Sequence, residues 1–284
     1  MRVAERAPAK VNLVLHVGAP GAGGLHPLRS LFASLELGDR VLVEAAAEDV
    51  VVCAGVTGEN LAGRALAAFR AALPAAGPGT AKLPPLRVSI DKAIPVAAGL
   101  GGGSSDAAAV LRTANVFAGR PFDARALRRV AATLGSDVPS QVEPRAALVG
   151  GTGEVVEPIG LPGLSLVLLP QEPGLSTAAV YRELDRLRAA GELPRREILE
   201  AEPLRRLAAA SVQRLAAGLE NDLEGAALAL RPELRRGLAA LHEAGALGAR
   251  ISGSGPTAFG VFSDLEAARR AARDIPGAIV TATR

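Results

Sequence analysis

Pro95-Val-Ala-Ala-Gly-Leu-Gly-Gly-Gly-Ser-Ser105 sits between the alternating stretch Leu86-Arg-Val-Ser-Ile-Asp-Lys-Ala-Ile94 and an alanine-rich run of helical spacing from about Ser104 to Phe117. A strand, a glycine loop and a helix in that order build a phosphate cradle. Glycines let the backbone come close to an anion and take φ values that other residues resist. A helix starting near Ser104 then aims unpaired N–H groups and the positive end of its dipole at the same place. Spacing removes two common forms of such a loop. No Gly-Lys-Ser or Gly-Lys-Thr closes it, so it is not a Walker loop. Gly99, Gly101 and Gly103 put the third glycine one residue early for the G-x-G-x-x-G fingerprint, and no acidic residue about twenty positions on suits a ribose. The remaining alternative, a glycine turn without a ligand, would give up backbone entropy for no return.

Outward from the loop, Val11–Val17 and Arg40–Glu44 read as strands, and the alanine-rich Glu59–Leu73 reads as a helix stopped by Pro74 and a loop at Gly77-Pro-Gly79. Asp123 is an N-cap candidate for a helix reaching Leu134. Gly150-Gly-Thr-Gly153 and Pro158–Gly163 punctuate the middle of the chain, and Leu164–Leu169 opens a second lobe. Helical patterns follow at Thr177–Ala190, Pro203–Gly218, Asp222–Leu230 and Pro232–Ala244. Strand patterns at Ala249–Ser252, Thr257–Phe262 and Ala278–Thr281 flank a last helix at Asp264–Arg273. Irregular alternation of this kind predicts an α+β fold rather than a doubly wound parallel sheet.

A chain of 284 residues, 49% hydrophobic and 21% charged, has the balance of an ordinary globular protein and length enough for two lobes. The formal charge is +3, the arginines are interleaved with glutamates, Trp is absent and Tyr181 is the only tyrosine. That argues against nucleic acid as a partner, because such binders cluster basic residues and offer stacking aromatics. Cys53 is the only cysteine, which excludes an intramolecular disulfide and argues against a cysteine zinc site. Its run Asp49-Val-Val-Val-Cys-Ala54 suggests a small buried hydrophobe. No leader-like or membrane-crossing apolar run stands out, so a cytoplasmic location and no membrane partner are expected.

Four segments in order, Ala7-Pro-Ala-Lys-Val-Asn-Leu13, the glycine loop, Leu134-Gly-Ser-Asp-Val-Pro139 and Ser252-Gly-Ser-Gly-Pro256, resemble the galactokinase, homoserine kinase, mevalonate kinase and phosphomevalonate kinase (GHMP) superfamily. The Pro-Ala-Lys-Val-Asn-Leu opening, the Leu-Gly-Gly-Gly-Ser-Ser core and Leu-Gly-x-Asp-Val-Pro are together similar to its 4-diphosphocytidyl-2-C-methyl-D-erythritol kinase family. Leu35-Glu-Leu-Gly-Asp39, Glu59-Asn-Leu61 and Glu220-Asn-Asp222 add to the likeness, which covers nearly the whole chain.

That resemblance implies a two-lobed GHMP kinase fold with the active site in the interlobe cleft, residues 1–160 forming a nucleotide-binding domain and 161–284 a C-terminal domain. It implies transfer of the γ-phosphoryl group of ATP, with Mg2+, to the 2-hydroxyl of cytidine diphosphate methylerythritol, a step of isoprenoid precursor synthesis. Lys10 and Asp137 match the catalytic lysine and aspartate. Asp137 has the chemistry of a general base, and Lys10 would keep it ionised. Pro95, Val96, Ala97, Ala98, Gly99, Leu100, Gly101, Gly102, Gly103, Ser104 and Ser105 match the triphosphate loop. Asn60 and Lys92 match residues near the nucleotide. Asn12, His26, Thr177 and Tyr181 match the acceptor side, the last two sharing a helix face. Gly253, Ser254 and Gly255 form a second glycine loop facing the same cleft. No carboxylate pair marks the magnesium ligands, and a monomer or a homodimer is compatible.

Each match has a plainer alternative. Lys10 can be a solvated strand-end lysine, Asp137 a turn aspartate before Pro139, Asn60 and the two serines helix caps, Lys92 a surface charge, Tyr181 a core aromatic and Ser252–Pro256 a tight hairpin. Lysine is scarce, however: only Lys10, Lys82 and Lys92 occur beside many arginines, so Lys10 stands where arginine was available. His16 reads as structural, and His242 as exposed. The chain also departs from its relatives. Leu25 and Pro27 stand in Gly24-Leu-His-Pro-Leu28 where relatives have an aromatic and Glu, Ala97 and Ala98 replace glycines, and Asp106 stands where many have Asn. Another GHMP kinase, acting on homoserine, mevalonate or a sugar, and a catalytically silent nucleotide- or metabolite-binding protein are the alternatives.

Overall fold

The computed structural model describes residues 1–21, 23–56, 60–76, 83–196 and 200–284. The expected loop at Gly77–Gly79, Lys82 and the first residue of Glu59-Asn-Leu61 lie outside them. Two long strands, β1 (Arg2–Val17) and β2 (Leu28–Ala45), pair antiparallel almost end to end, from Val3 opposite Val43 to Val17 opposite Leu28. The sequence pattern marks only Val11–Val17 of β1 and Arg40–Glu44 of β2, less than half of each. From Ala7 to Val17 β1 is buried on both faces, so its apolar residues run continuously instead of alternating. Register shifts between Pro8 and Lys10 and between Asn12 and Val14 bracket the segment Lys10–Asn12. Such bulges re-aim side chains.

The first sheet continues with β3 (Val50–Cys53), and helix α1 (Leu61–Ala72) precedes β4 (Leu86–Asp91), where the strand ends short of the expected Ile94. Helices α2 (Gly102–Phe117) and α3 (Ala124–Ala132) follow, the latter capped by Asp123, whose carboxylate accepts from Ala126 N at 2.7 Å. Hairpin β5 (Ala147–Gly150) and β6 (Val155–Pro158) pairs with β2. The second sheet starts at β7 (Ser165–Leu169) and is followed by α4 (Thr177–Ala189), α5 (Ala201–Ala208) and α6 (Val212–Ala217). The single helix expected over Pro203–Gly218 is thus two. Ser211 accepts from Arg214 N and starts a new helix after the α5 terminus. Strand β8 (Glu220–Asn221), helices α7 (Glu224–Leu230) and α8 (Leu234–Glu243), strands β9 (Gly248–Ile251) and β10 (Ala258–Phe262), α9 (Leu265–Asp274) and β11 (Ile279–Ala282) complete the chain.

The first sheet runs β3-β4-β2-β1-β8 with the β5–β6 hairpin on β2, and the second, all antiparallel, runs β11-β7-β10-β9. Alanine-rich α2 packs with α1 on one side of the first sheet, around Phe69, Val88 and Leu111. Ala9, Val11 and Leu13 of β1 instead join Leu166 and Leu168 of β7 and Phe259 of β10 in one core. The two sheets therefore share an apolar interior through β1, and β8 returns from the second half of the chain to pair with β1 at Leu15 and Asn221. Among the described residues no helix is long and apolar enough to cross a membrane.

Candidate active site

The turn from β4 into α2 is shaped by close approaches. Gly99 (φ +77°) lies so near the second sheet that a Cβ would stand 2.7 Å from the carbonyl oxygens of both Ser252 and Gly255. Gly101 (φ +70°) faces the Lys10 stem at 3.0 Å, and Lys10 N donates to Leu100 O at 3.0 Å. Only glycine meets both demands without strain. The helix begins at Gly102 with left-handed Gly101 as its cap, so Ser104 and Ser105 lie within its first turns and do not cap it. The first N–H groups of such a turn lack intrahelical partners and face outward. Ser104 lines the cleft. Ser105 does not: it is fully buried, its hydroxyl 3.4 Å from Gln141 Oε1, because residues of adjacent position point to different helix faces.

Ser252-Gly-Ser-Gly-Pro256 joins β9 to β10 and is locked onto this loop, Ser252 Oγ donating to Gly99 O at 3.1 Å and Thr257 N to Ala98 O at 3.3 Å. It is a hairpin connection and a wall of the cleft together. Gly253 and Ser254 line the cleft, while Gly255 packs beneath, against Ile251 and Gly99. Asn221 holds the loop from behind, its Nδ2 donating to Ile251 O and Gly253 O, both at 2.8 Å.

Where the loops meet, Lys10 is buried inside β1 and is not a strand-end lysine. Its ammonium donates to Asn12 Oδ1 at 2.7 Å, pairs with Asp137 Oδ2 at 3.3 Å and stands 4.8 Å from the Phe32 ring centre. Asn12 donates in turn to Ser30 Oγ at 2.9 Å, and Ser30 to Val14 O at 2.6 Å. The Asn12 amide is thus committed to Lys10 and Ser30, although the residue lines the cleft. The Asp137 carboxylate points to Lys10, while its carbonyl accepts from Ser140. A third glycine turn, Gly150-Gly-Thr-Gly153, connects β5 to β6 and packs Gly153 against Ser136 O, bringing Thr152 and Glu154 to the cleft wall.

The cleft holds about 1250 Å3. At one end lie Asn60, which also caps α1 through Ala62 N at 2.9 Å, Cys53 and Lys92. Cys53 is only half-buried and forms part of this wall, where burial raises its thiol pKa. Lys92 bridges Asp39 and Asp106. Burial disfavours its ammonium, but the two carboxylates outweigh that and hold it above the ordinary lysine value. Burial, opposed by Lys92 and reinforced by Asp39, lifts Asp106 to about 7. At the other end Thr177 meets Ser254 at 2.9 Å, and Tyr181 packs on His26 with ring centres 5.0 Å apart. Burial, then the charge of Asp137, pushes the Tyr181 phenol up to about 12. His26 donates from Nδ1 to Gly18 O at 3.0 Å, with Asp185 3.3 Å from Nε2. Leu25 is exposed at the rim. His16 is buried against Glu220, and His242 is exposed.

Asp185, Ser30, Thr152 and Glu154 carry no motif of their own. The paired glycines at 151 and 153 were the available signal for the third turn, and Leu35–Asp39 for the carboxylate under Lys92.

Residues 60–151 match the model for the GHMP kinases N terminal domain, and 201–279 that for GHMP kinases C terminal. A 4-diphosphocytidyl-2-C-methyl-D-erythritol kinase of Anaeromyxobacter dehalogenans (strain 2CP-C) is 44% identical over 98% of this chain and 86% of its own. One of Nocardioides sp. is 41% identical over 96% and 93%. The chain belongs to the 4-diphosphocytidyl-2-C-methyl-D-erythritol kinase family. The crystal structure of a 4-(cytidine 5'-diphospho)-2C-methyl-D-erythritol kinase, 35% identical, superposes with a TM-score of 0.77 over 99% of this chain and 100% of that one. Membership makes the protein a GHMP-fold small-molecule kinase that uses ATP.

The kinase loop carries one strained residue, Ala97 at φ +54°. A non-glycine residue there costs roughly 1–2 kcal/mol, partly offset in glycine by the entropy of the unfolded chain. Ala97→Gly is expected to keep or raise stability by up to about 1 kcal/mol, whereas Gly99→Ala should lose at least about 2 kcal/mol through overlap with two carbonyl oxygens. Urea denaturation of both variants checks this. Equal losses would contradict the geometry given for the loop.

Proposed function

We propose that the protein transfers the γ-phosphoryl group of ATP to the 2-hydroxyl of 4-diphosphocytidyl-2-C-methyl-D-erythritol. The observation that carries this is the Lys10–Asp137 pair, 3.3 Å apart, at the junction of two glycine loops and between the two ends of one cleft. The α2 N-terminus and the backbone of Gly99–Ser104 seat the triphosphate. Asp137 orients the acceptor hydroxyl and receives its proton as the new O–P bond forms and the bond from the γ-phosphorus to the ADP oxygen breaks. Lys10 pairs with Asp137 and faces the charge on the transferring group. Asn12 acts by fixing Lys10. Asn60 flanks the nucleoside, Lys92 lies under the phosphates against Gly102, and His26 with Tyr181 offers a ring surface for cytosine, near Thr177. Magnesium would be held chiefly by the nucleotide phosphates and water, which leaves at most one or two positions for protein carboxylates. The ion would neutralise phosphate charge. We place the boundary between the nucleotide-binding and C-terminal domains near residue 160, where the second sheet is about to begin.

ADP release from the folded protein with this acceptor, ATP and magnesium is expected to exceed the ATP-only background and the rates with homoserine, mevalonate and galactose. Release equal to background would reject the acceptor. Asp137→Asn should lower kcat by about 10²–10⁴-fold with KM for ATP little changed; an unchanged kcat would remove Asp137 from the mechanism. Leu25 gives cytosine an apolar contact without a π face, so Leu25→Tyr should lower KM for the cytidine substrate by about 2–10-fold at similar kcat. An unchanged or higher KM would show that position 25 does not cover the base.

A further inference from the structure

Beneath the glycine loop lies a set of charges that the transfer step does not use. Asp39 on β2 and Asp106 on α2 share one ammonium, that of Lys92, which leaves one negative charge in excess among side chains exposed by 0%, 4% and 15% respectively. Asp39 is saturated, with Oδ1 accepting from Ala93 N at 2.6 Å and Ile94 N at 2.8 Å and Oδ2 meeting Lys92. Asp106 is not. Its Oδ2 accepts from Lys92 at 2.8 Å, while its buried Oδ1 has no hydrogen-bond partner among the described residues. Asp106 and Lys92 both line the cleft, and a Cβ on Gly102, at the start of α2, would stand 3.3 Å from Lys92 Nζ. The Asp106–Lys92 pair therefore lies beside the start of α2, at the edge of the glycine loop.

The other charges around this group are committed elsewhere or exposed. Cys53 on β3 has a raised thiol pKa and is neutral at physiological pH. Lys10 on β1 is held by Asn12 and Asp137. On α1 and α3, Arg70 and Arg128 pair with Asp49 and Glu143, and Arg64, Arg125 and Arg129 are exposed. On α2, Arg112 pairs with Glu5.

We propose that Asp106 is the proton-linked residue of the nucleotide seat: binding of a nucleoside di- or triphosphate loads a proton onto its free oxygen, and the neutral acid accompanies the bound nucleotide. The inference rests on the nucleotide seat assigned above. A buried carboxylate oxygen without a donor is costly as an anion and acceptable as an acid, which carries its own hydrogen. An arriving phosphate adds negative charge nearby and competes for the Lys92 ammonium, and both effects favour the protonated form. Burial has already raised Asp106 to about 7, so the proton is within reach at neutral pH.

Calorimetric titration of the protein with ADP, in buffers of different ionisation enthalpy, reads the proton directly. A fraction of a proton is expected to be taken up near pH 7, rising toward one near pH 8, where the free carboxyl is largely ionised. The ADP terminal phosphate is itself ionised by then and cannot take part in the opposite sense. Asp106→Asn, a permanently neutral side chain, should bind ADP with no uptake and several-fold more tightly than the natural protein near pH 8. Binding heat that is independent of buffer, or full uptake in Asp106→Asn, would overturn the linkage and leave the seat standing. No binding of ADP in any buffer would overturn the seat and the linkage together. If the variant does not fold, uptake by the natural protein that stays flat or falls from pH 7 to pH 8 is sufficient to reject the proposal.

Discussion

The cleft depends on one contact between backbones: Gly99 seated against the carbonyl oxygens of Ser252 and Gly255, 2.7 Å from where a Cβ would be. It joins a loop of the first sheet to a loop of the second without any side chain between them, and Ser252 Oγ and Thr257 N tie the two together by hydrogen bonds. Because β1 also shares its core with β7 and β10, the two sheets cannot separate without opening an apolar interior as well. The spacing of the proposed phosphate seat is thereby a property of the whole fold. A substitution at Gly99 acts on both halves of the chain at once.

Around that joint the protein buries two ammonium groups and treats them differently. Lys10 has an amide oxygen, a partly exposed carboxylate and an aromatic face, which leaves its charge available to a ligand. Lys92 is held by two buried carboxylates and has none to spare. A charge removed from water must be compensated in place. The first arrangement is compensated in part and suits catalysis. The second is over-compensated by one negative charge, and a proton at Asp106 restores the balance. The two meet adjacent glycines of the same turn, Lys10 against Gly101 and Lys92 against Gly102.

The parts of the site that were legible in the sequence are those that local chemistry dictates. Glycines with positive φ, the caps at Asp123 and Asn60, the shared helix face of Thr177 and Tyr181 and the ordering of Lys10, the loop and Asp137 follow from residue type and spacing. What was hidden depends on tertiary neighbours. In β2 the stretch Ser30–Leu35 is buried throughout and so shows no alternation, while the unmarked start of β1, Arg2–Arg6, alternates only between exposed and half-buried residues. Ser105 turns inward because the helix starts two residues earlier than the serines suggest. Asn12 spends its amide on Lys10 and Ser30, residues whose proximity only strand pairing and its bulges create. Asp39 and Asp106, 67 positions apart in the sequence, meet at a single lysine.

In the proposed reaction Lys10 and Asp137 act as one unit at the junction of the loops. A double-mutant cycle on kcat, with Lys10→Met, Asp137→Asn and the pair combined, tests it most directly. Groups that work through each other are strongly non-additive, so the double variant should be no more than a few-fold slower than the slower single variant. Losses that multiply in full would show two independent contributions and contradict the account.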